Sequence, residues 1–170
     1  PPKRNWLNEY CLRHSALNGF KYGPPSKHPF NPLAALRMSL KKVSGDDQLR
    51  VIDSIFKGGW SHGADLGDLP TLISLLTKES IDGESLSLKI LDLDIKELLI
   101  NETSSAIERG VFGVPTIIID DNLFWGNDQM DHIELLLDGK DPLDRERLND
   151  QERPRAIDRK AFKNNIKNDM

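Results

Sequence analysis

Apolar residues recur at intervals of three and four over most of the chain, and give way to a run of adjacent β-branched residues only near Pro115. The first helical pattern runs from Arg4 to Leu17 through Trp6, Leu7, Tyr10, Cys11 and Leu17, an amphipathic helix ending near Asn18-Gly19. Lys21 to Asn31, rich in proline and glycine, reads as a loop. Asn31-Pro32 then places a cap before a proline at the first helical position, opening a helix through Leu33, Leu36, Met38 and Leu40. Ser44-Gly45-Asp46 opens another, carrying Leu49, Ile52, Ile55 and Phe56 and stopping at Gly58-Gly59. Trp60 to Asp65, which carries His62, follows. Asp68 caps a helix to Glu79, a short one spans Asp82 to Leu91, and a longer one runs from Asp92 to Arg109 with Ile95, Leu98, Leu99, Ala106 and Ile107 as its stripe. Gly110 closes it.

The period then changes. Pro115 to Asp120 is a β-branched strand, Asp121-Asn122 a polar turn, and Leu123 to Trp125 a second strand, so the pair predicts a hairpin. Pro115 has no N–H to give to a ladder, so it requires an edge, a strand start or a special bond geometry. Gly126, Asn127 and Asp128 precede Met130, Ile133, Leu136 and Leu137, which share one face of a further helix. From Gly139 the pattern fades into Asp, Arg, Lys and Asn, predicting a solvated tail with at most a short helix near Ala161. The expected organisation is a helical region over 1–109, a hairpin and helix over 110–138, and a charged tail over 139–170.

Composition narrows the classes. At 38% hydrophobic and 29% charged, the 170 residues are ordinary globular material. A net charge of −4 without a basic block offers no footprint for nucleic acid. No apolar run approaches the roughly 20 residues that span a bilayer, so no membrane partner is expected. The single cysteine, Cys11, leaves no C-x-x-C pair and points to a reducing, cytoplasmic setting. His14, His28, His62 and His132 are scattered, which gives no metal-ligand spacing. His62 in a loop is expected to be solvated rather than catalytic, since no paired carboxylate is assignable to it.

Two stretches at a fixed interval carry a resemblance: Gly110-Val-Phe-Gly-Val-Pro-Thr116, then Leu123-Phe-Trp-Gly-Asn-Asp128. They resemble the C-terminal half of the thioredoxin-fold domain in the 2-hydroxychromene-2-carboxylate isomerases, and are similar to the kappa-class glutathione transferases and the wider DsbA-like group. Phe30-Asn-Pro-Leu33 with Ala35-Leu36-Arg37, and Trp60-Ser-His-Gly63-Ala-Asp65, resemble further stretches of the same isomerases. The implied class is α/β, mostly helical, with an all-α region inserted into a thioredoxin-like domain. The resemblance implies a cis bond at Val114-Pro115 whose backbone groups face glutathione, with Asn127 and Asp128 at the next helix start taking a carboxylate and an ammonium. Their alternative role is simply to cap that helix. Pro1-Pro2-Lys3 is similar to the stretch that opens the inserted region, which makes Lys3 a candidate for the glycine carboxylate of glutathione. Tryptophan at position 6 and tyrosine at position 10 depart from the family's usual tyrosine and aspartate, so no polar contact is expected from those positions.

The implied activity is glutathione-dependent cis-trans isomerisation of an aromatic-catabolism intermediate, with glutathione as cofactor, a small-molecule substrate, and a homodimer as a possible assembly. In the family, glutathione acts as a reversible thiolate nucleophile, so a lowered thiol pKa is its physical requirement. A kappa-class transferase or a DsbA-like thiol oxidoreductase is the neighbouring alternative, and a non-catalytic interaction module the more distant one. The serine that activates the sulfur in the family belongs to a strand-helix-strand unit with no counterpart before Lys3, so a fragment of a longer product is expected and no residue of this chain is assigned a catalytic role. One hairpin alone makes a marginal sheet.

Overall fold

The computed structural model describes residues 2–149; the helix expected near Ala161 lies outside them. The chain divides into two compact units, Pro1–Gly110 and Val111–Met170.

The first unit is helical. Its elements are α1 (Pro2–Leu17), α2 (Leu33–Met38), α3 (Lys41–Ser44), α4 (Gln48–His62), α5 (Leu69–Lys78), α6 (Gly83–Lys89) and α7 (Leu93–Glu108), with a 3-10 turn at Gly45–Asp47. The core is drawn from α2 to α7: Met38, Val43, Val51, Leu66, Leu72, Leu76, Ile90 and Ile95 are all buried. Caps were legible. The Asp68 carboxylate accepts the Thr71 N–H at 3.0 Å and Asp82 that of Ser85 at 2.9 Å; at α2 Pro32 rather than Asn31 holds the cap position, with Asn31 accepting the Leu33 N–H at 3.1 Å from one residue before it. Each satisfies a donor that an α-helix start leaves without an intrahelical partner.

Three expectations about this unit are corrected. First, α4 does not stop at Gly58-Gly59; it runs on to His62 and ends at Gly63, whose φ of 70° reverses the chain. Both glycines are buried, and a Cβ on Gly58 would fall 2.7 Å from Leu75 Cδ2, one on Gly59 2.8 Å from Leu66 Cγ. They are therefore contact points where neighbouring leucines press on the helix, and His62 belongs to its last turn rather than to a loop. Second, the buried face of α4 is Val51, Ser54, Ile55, Gly58 and Gly59, while Leu49 and Phe56 are exposed. Small residues inside that face hid it from an apolar count. Third, α1 forms but buries none of its residues. Trp6, Tyr10 and His14 instead stack on one another along the helix, with successive ring centroids 5.6 Å apart. Periodicity reports which residues share a face; it does not supply a surface for that face to cover.

The loop at 20–31 is tied back to the helical core. Lys27 Nζ pairs with Asp65 Oδ2 at 2.6 Å, and Asp65 Oδ1 also accepts the Gly67 N–H at 3.1 Å. His28, preceding a cis proline, packs edge-on to Phe30 and Trp60. The hydrogen bond from the Lys27 ammonium is the main reason that the Asp65 carboxyl is held below its ordinary range, with the Gly67 N–H and the charge of Lys27 adding to it against desolvation. A carboxylate whose folded pKa is depressed stabilises the fold above its unfolded pKa and stops doing so as pH falls through the folded value. In urea titrations from about pH 6 to pH 2, the wild-type advantage over Asp65→Asn is expected to shrink as pH falls below the carboxylate range. An advantage constant with pH would show that the pair is not what tethers the loop.

The second unit contains β1 (Thr116–Ile119), β2 (Asn122–Trp125), a 3-10 turn at Asn127–Gln129, α8 (Met130–Leu137) and α9 (Arg145–Asn149). The strands are antiparallel, with Thr116 opposite Trp125 and Ile119 opposite Asn122. The turn is thus Asp120-Asp121, one residue earlier than expected, and Asp120 takes the left-handed conformation at φ 51°. Aspartate tolerates that region better than most residues, and the register gives Asn122 to the ladder. After Gly139 the residues 139–147 are all exposed, as expected of a solvated tail, with a short helix, α9, ahead of the one expected near Ala161 and a hydrogen bond from Arg145 Nη2 to Asn122 Oδ1 at 2.5 Å.

Candidate functional site

Four of the five site expectations lie at one end of the hairpin. Val114 and Pro115 lead into β1, Gly126 follows β2, and the Gly126 N–H donates to the Pro115 carbonyl at 3.0 Å, closing that end. Val114, Pro115, Asn127 and Asp128 are thereby brought together. The Val114-Pro115 bond is cis. Val114 is 85% exposed, and among the described residues neither its N–H nor its C=O has a hydrogen-bond partner. A donor and an acceptor facing solvent beside a strand are what an extended peptide pairs with.

Asn127 and Asp128 are not helix caps of the expected kind. They lie in the 3-10 turn ahead of α8, and Gln129 stands at the cap position without capping through its side chain. Gln129 instead shares a 3.1 Å hydrogen bond with His132. The Asp128 carboxylate leans back over Gly126, the space a side chain there would fill, and among the described residues accepts only a long 3.4 Å bond from Gln129 Nε2. Gly126 is needed twice: for that close approach and for its φ of 111°. Both Asn127 and Asp128 are exposed. Their polar groups remain open to a ligand, which the capping alternative would not allow.

Lys3 belongs to the first unit. It sits in the first turn of α1, exposed and without an ion pair among the described residues. His62 borders a hollow with Asp53, Lys57, Leu75 and Glu79, and no ion pair or hydrogen bond engages its ring among the described residues. The first unit also holds an apolar cavity of about 140 Å³ bordered by Phe30, Ile55, Phe56, Trp60 and Leu66.

Two residues escaped the sequence reading of the site. Thr116 looked like an ordinary strand residue, yet its hydroxyl donates to the Gly113 carbonyl at 2.6 Å. Trp125 looked like a strand end, yet its indole lies on Gly113 and against Phe112, ring centroids 5.3 Å apart. The signal that could have found them is Gly113 itself, a glycine two residues before a proline and facing an aromatic residue across the hairpin.

A family model described as a DSBA-like thioredoxin domain matches residues 14–138. The chain belongs to that family. Its fold is accordingly the DSBA-like thioredoxin fold, mostly helical with a small two-stranded sheet. Among curated proteins it is similar to the 2-hydroxychromene-2-carboxylate isomerase of Pseudomonas putida, 34% identical over 85 residues, covering 49% of this chain and 41% of that protein. The isomerase of the same name from Pseudomonas sp. (strain C18) is 34% identical over 90 residues, 52% of this chain and 42% of that protein. This chain therefore matches about two fifths of the length of these relatives. A solved structure of a 2-hydroxychromene-2-carboxylate isomerase superposes with a TM-score of 0.71 at 23% identity, covering 81% of this chain and 66% of that one, a likeness of fold. Among the described residues no helix is long and apolar enough to cross a membrane.

Proposed function

We propose that this chain carries glutathione-contacting elements of a glutathione-dependent isomerase acting on a small aromatic-derived substrate, of the kind its curated relatives are named for. The observation that carries the reading is the exposed Val114, whose N–H and C=O have no partner among the described residues, at the same end of the hairpin as the Asn127–Gln129 turn. A tripeptide can pair along Val114 as a strand does. The backbone N–H groups that open Asn127–Gln129 and α8 suit a ligand carboxylate, and the Asp128 carboxylate suits its ammonium. When bound, glutathione supplies a nucleophilic thiol, and this chain's residues bind and orient it. Lys3 is proposed as a further contact to its glycine carboxylate, on the resemblance alone. A homodimer and a cytoplasmic setting remain part of the proposal.

The test is calorimetric titration of the whole chain with glutathione, beside Asp128→Ala. Removing one charged partner is expected to weaken binding about tenfold or more. Absence of binding by the wild type would end the glutathione reading; equal affinities would remove Asp128 from it.

A further inference from the structure

The residues on both sides of Val114 are held, and Val114 is not. On the N-terminal side, the Gly113 carbonyl accepts the Thr116 hydroxyl at 2.6 Å. Also there, the Trp125 indole occupies the place a side chain would take: a Cβ on Gly113 would fall 2.5 Å from Trp125 Nε1 and 3.1 Å from Cε2. Phe112 packs against Trp125, with ring centroids 5.3 Å apart and 57° between ring planes. On the C-terminal side, the Pro115 carbonyl accepts the Gly126 N–H at 3.0 Å. The residue left between these fastenings is 85% exposed, with both backbone polar groups unpartnered among the described residues.

Exposed backbone of this kind ordinarily moves, and a ligand that binds it must first order it. Here the ordering is done in advance by side chains that need not touch the ligand. We propose that Thr116 and Trp125 are positioning residues that hold the Val114 N–H and C=O outward, ready for an extended peptide. The proposal rests on the glutathione reading for the identity of that peptide, but the preorganisation is a property of the ligand-free chain. Thr116 acts through its hydroxyl and Trp125 through its seat on Gly113. The two act on the same peptide unit, so losing either loosens it.

The test uses the full chain labelled with nitrogen-15. In the ligand-free protein, the heteronuclear NOE of the Val114 amide reports its order, and glutathione titration reports affinity. Wild type and Thr116→Ser are expected to show Val114 as ordered as its strand neighbours. Thr116→Val keeps the shape but removes the donor; it is expected to lower the Val114 NOE and to weaken glutathione binding about tenfold, a change the size of one hydrogen bond. Trp125→Ala, at a half-exposed position, is expected to do the same and serves if Thr116→Val fails to fold. A Val114 amide as ordered in both variants as in the wild type would overturn the proposal, as would a serine variant that fails to restore it. Should the wild type bind no glutathione, the functional reading fails while the ligand-free NOE still judges the positioning.

Discussion

Leu72→Ala is expected to cost about 2–5 kcal/mol of stability, whereas Phe56→Ala should cost less than about 1 kcal/mol. Leu72 is fully buried in the cluster that also contains Met38, Val51, Ile55, Leu76 and Leu86. Truncating it removes apolar contact and leaves a void that close-packed helices cannot collapse to fill. Phe56 carries more apolar area by residue type but is 62% exposed, so little of that area is withdrawn from water in the fold. Urea unfolding followed by circular dichroism measures both. Equal losses at the two positions would mean that α4 is rotated from the orientation described, with Phe56 facing inward.

Gly83→Ala is expected to destabilise the helical unit by about 1–3 kcal/mol, against the general rule that alanine favours a helix over glycine by about 1 kcal/mol. Gly83 opens α6, and a Cβ there would fall 2.8 Å from the Ile73 carbonyl oxygen and 2.9 Å from Ile73 Cα, both backbone atoms of α5. A side chain in the way can change rotamer; a helix backbone cannot, so α5 and α6 would have to separate. Gly58→Ala is the internal control, because its added methyl meets the terminal methyls of Leu75, a partly exposed side chain that can turn aside at lower cost. The thermal midpoints of the two variants decide the matter. A Gly83→Ala protein as stable as wild type would show that the helices are not held at that distance.

Both predictions turn on positions whose meaning the order of residues did not disclose. Gly58-Gly59 read as a helix stop because glycine weakens helices, and inside α4 it is a seat for Leu66 and Leu75. Phe56 and Leu49 read as core because they are apolar and suitably spaced, and they face water. Asn127 and Asp128 sit where a cap is commonly found, and they form a 3-10 turn instead, with α8 beginning three residues later. In each case a local rule met a neighbour that lies far off in the chain, or met no neighbour at all.

Local chemistry alone determined the helix starts at Asp68 and Asp82, the change of period at Pro115, and the short motifs that carry the resemblance, because each depends on residues within a few positions of one another. Which side of α4 is buried, how close α6 comes to α5, and how Thr116, Trp125 and Gly126 fasten the chain around Val114 were decided only in three dimensions. These are contacts between segments distant in the chain or paired across a hairpin, and a one-dimensional pattern carries the capacity for such contacts without carrying their distances.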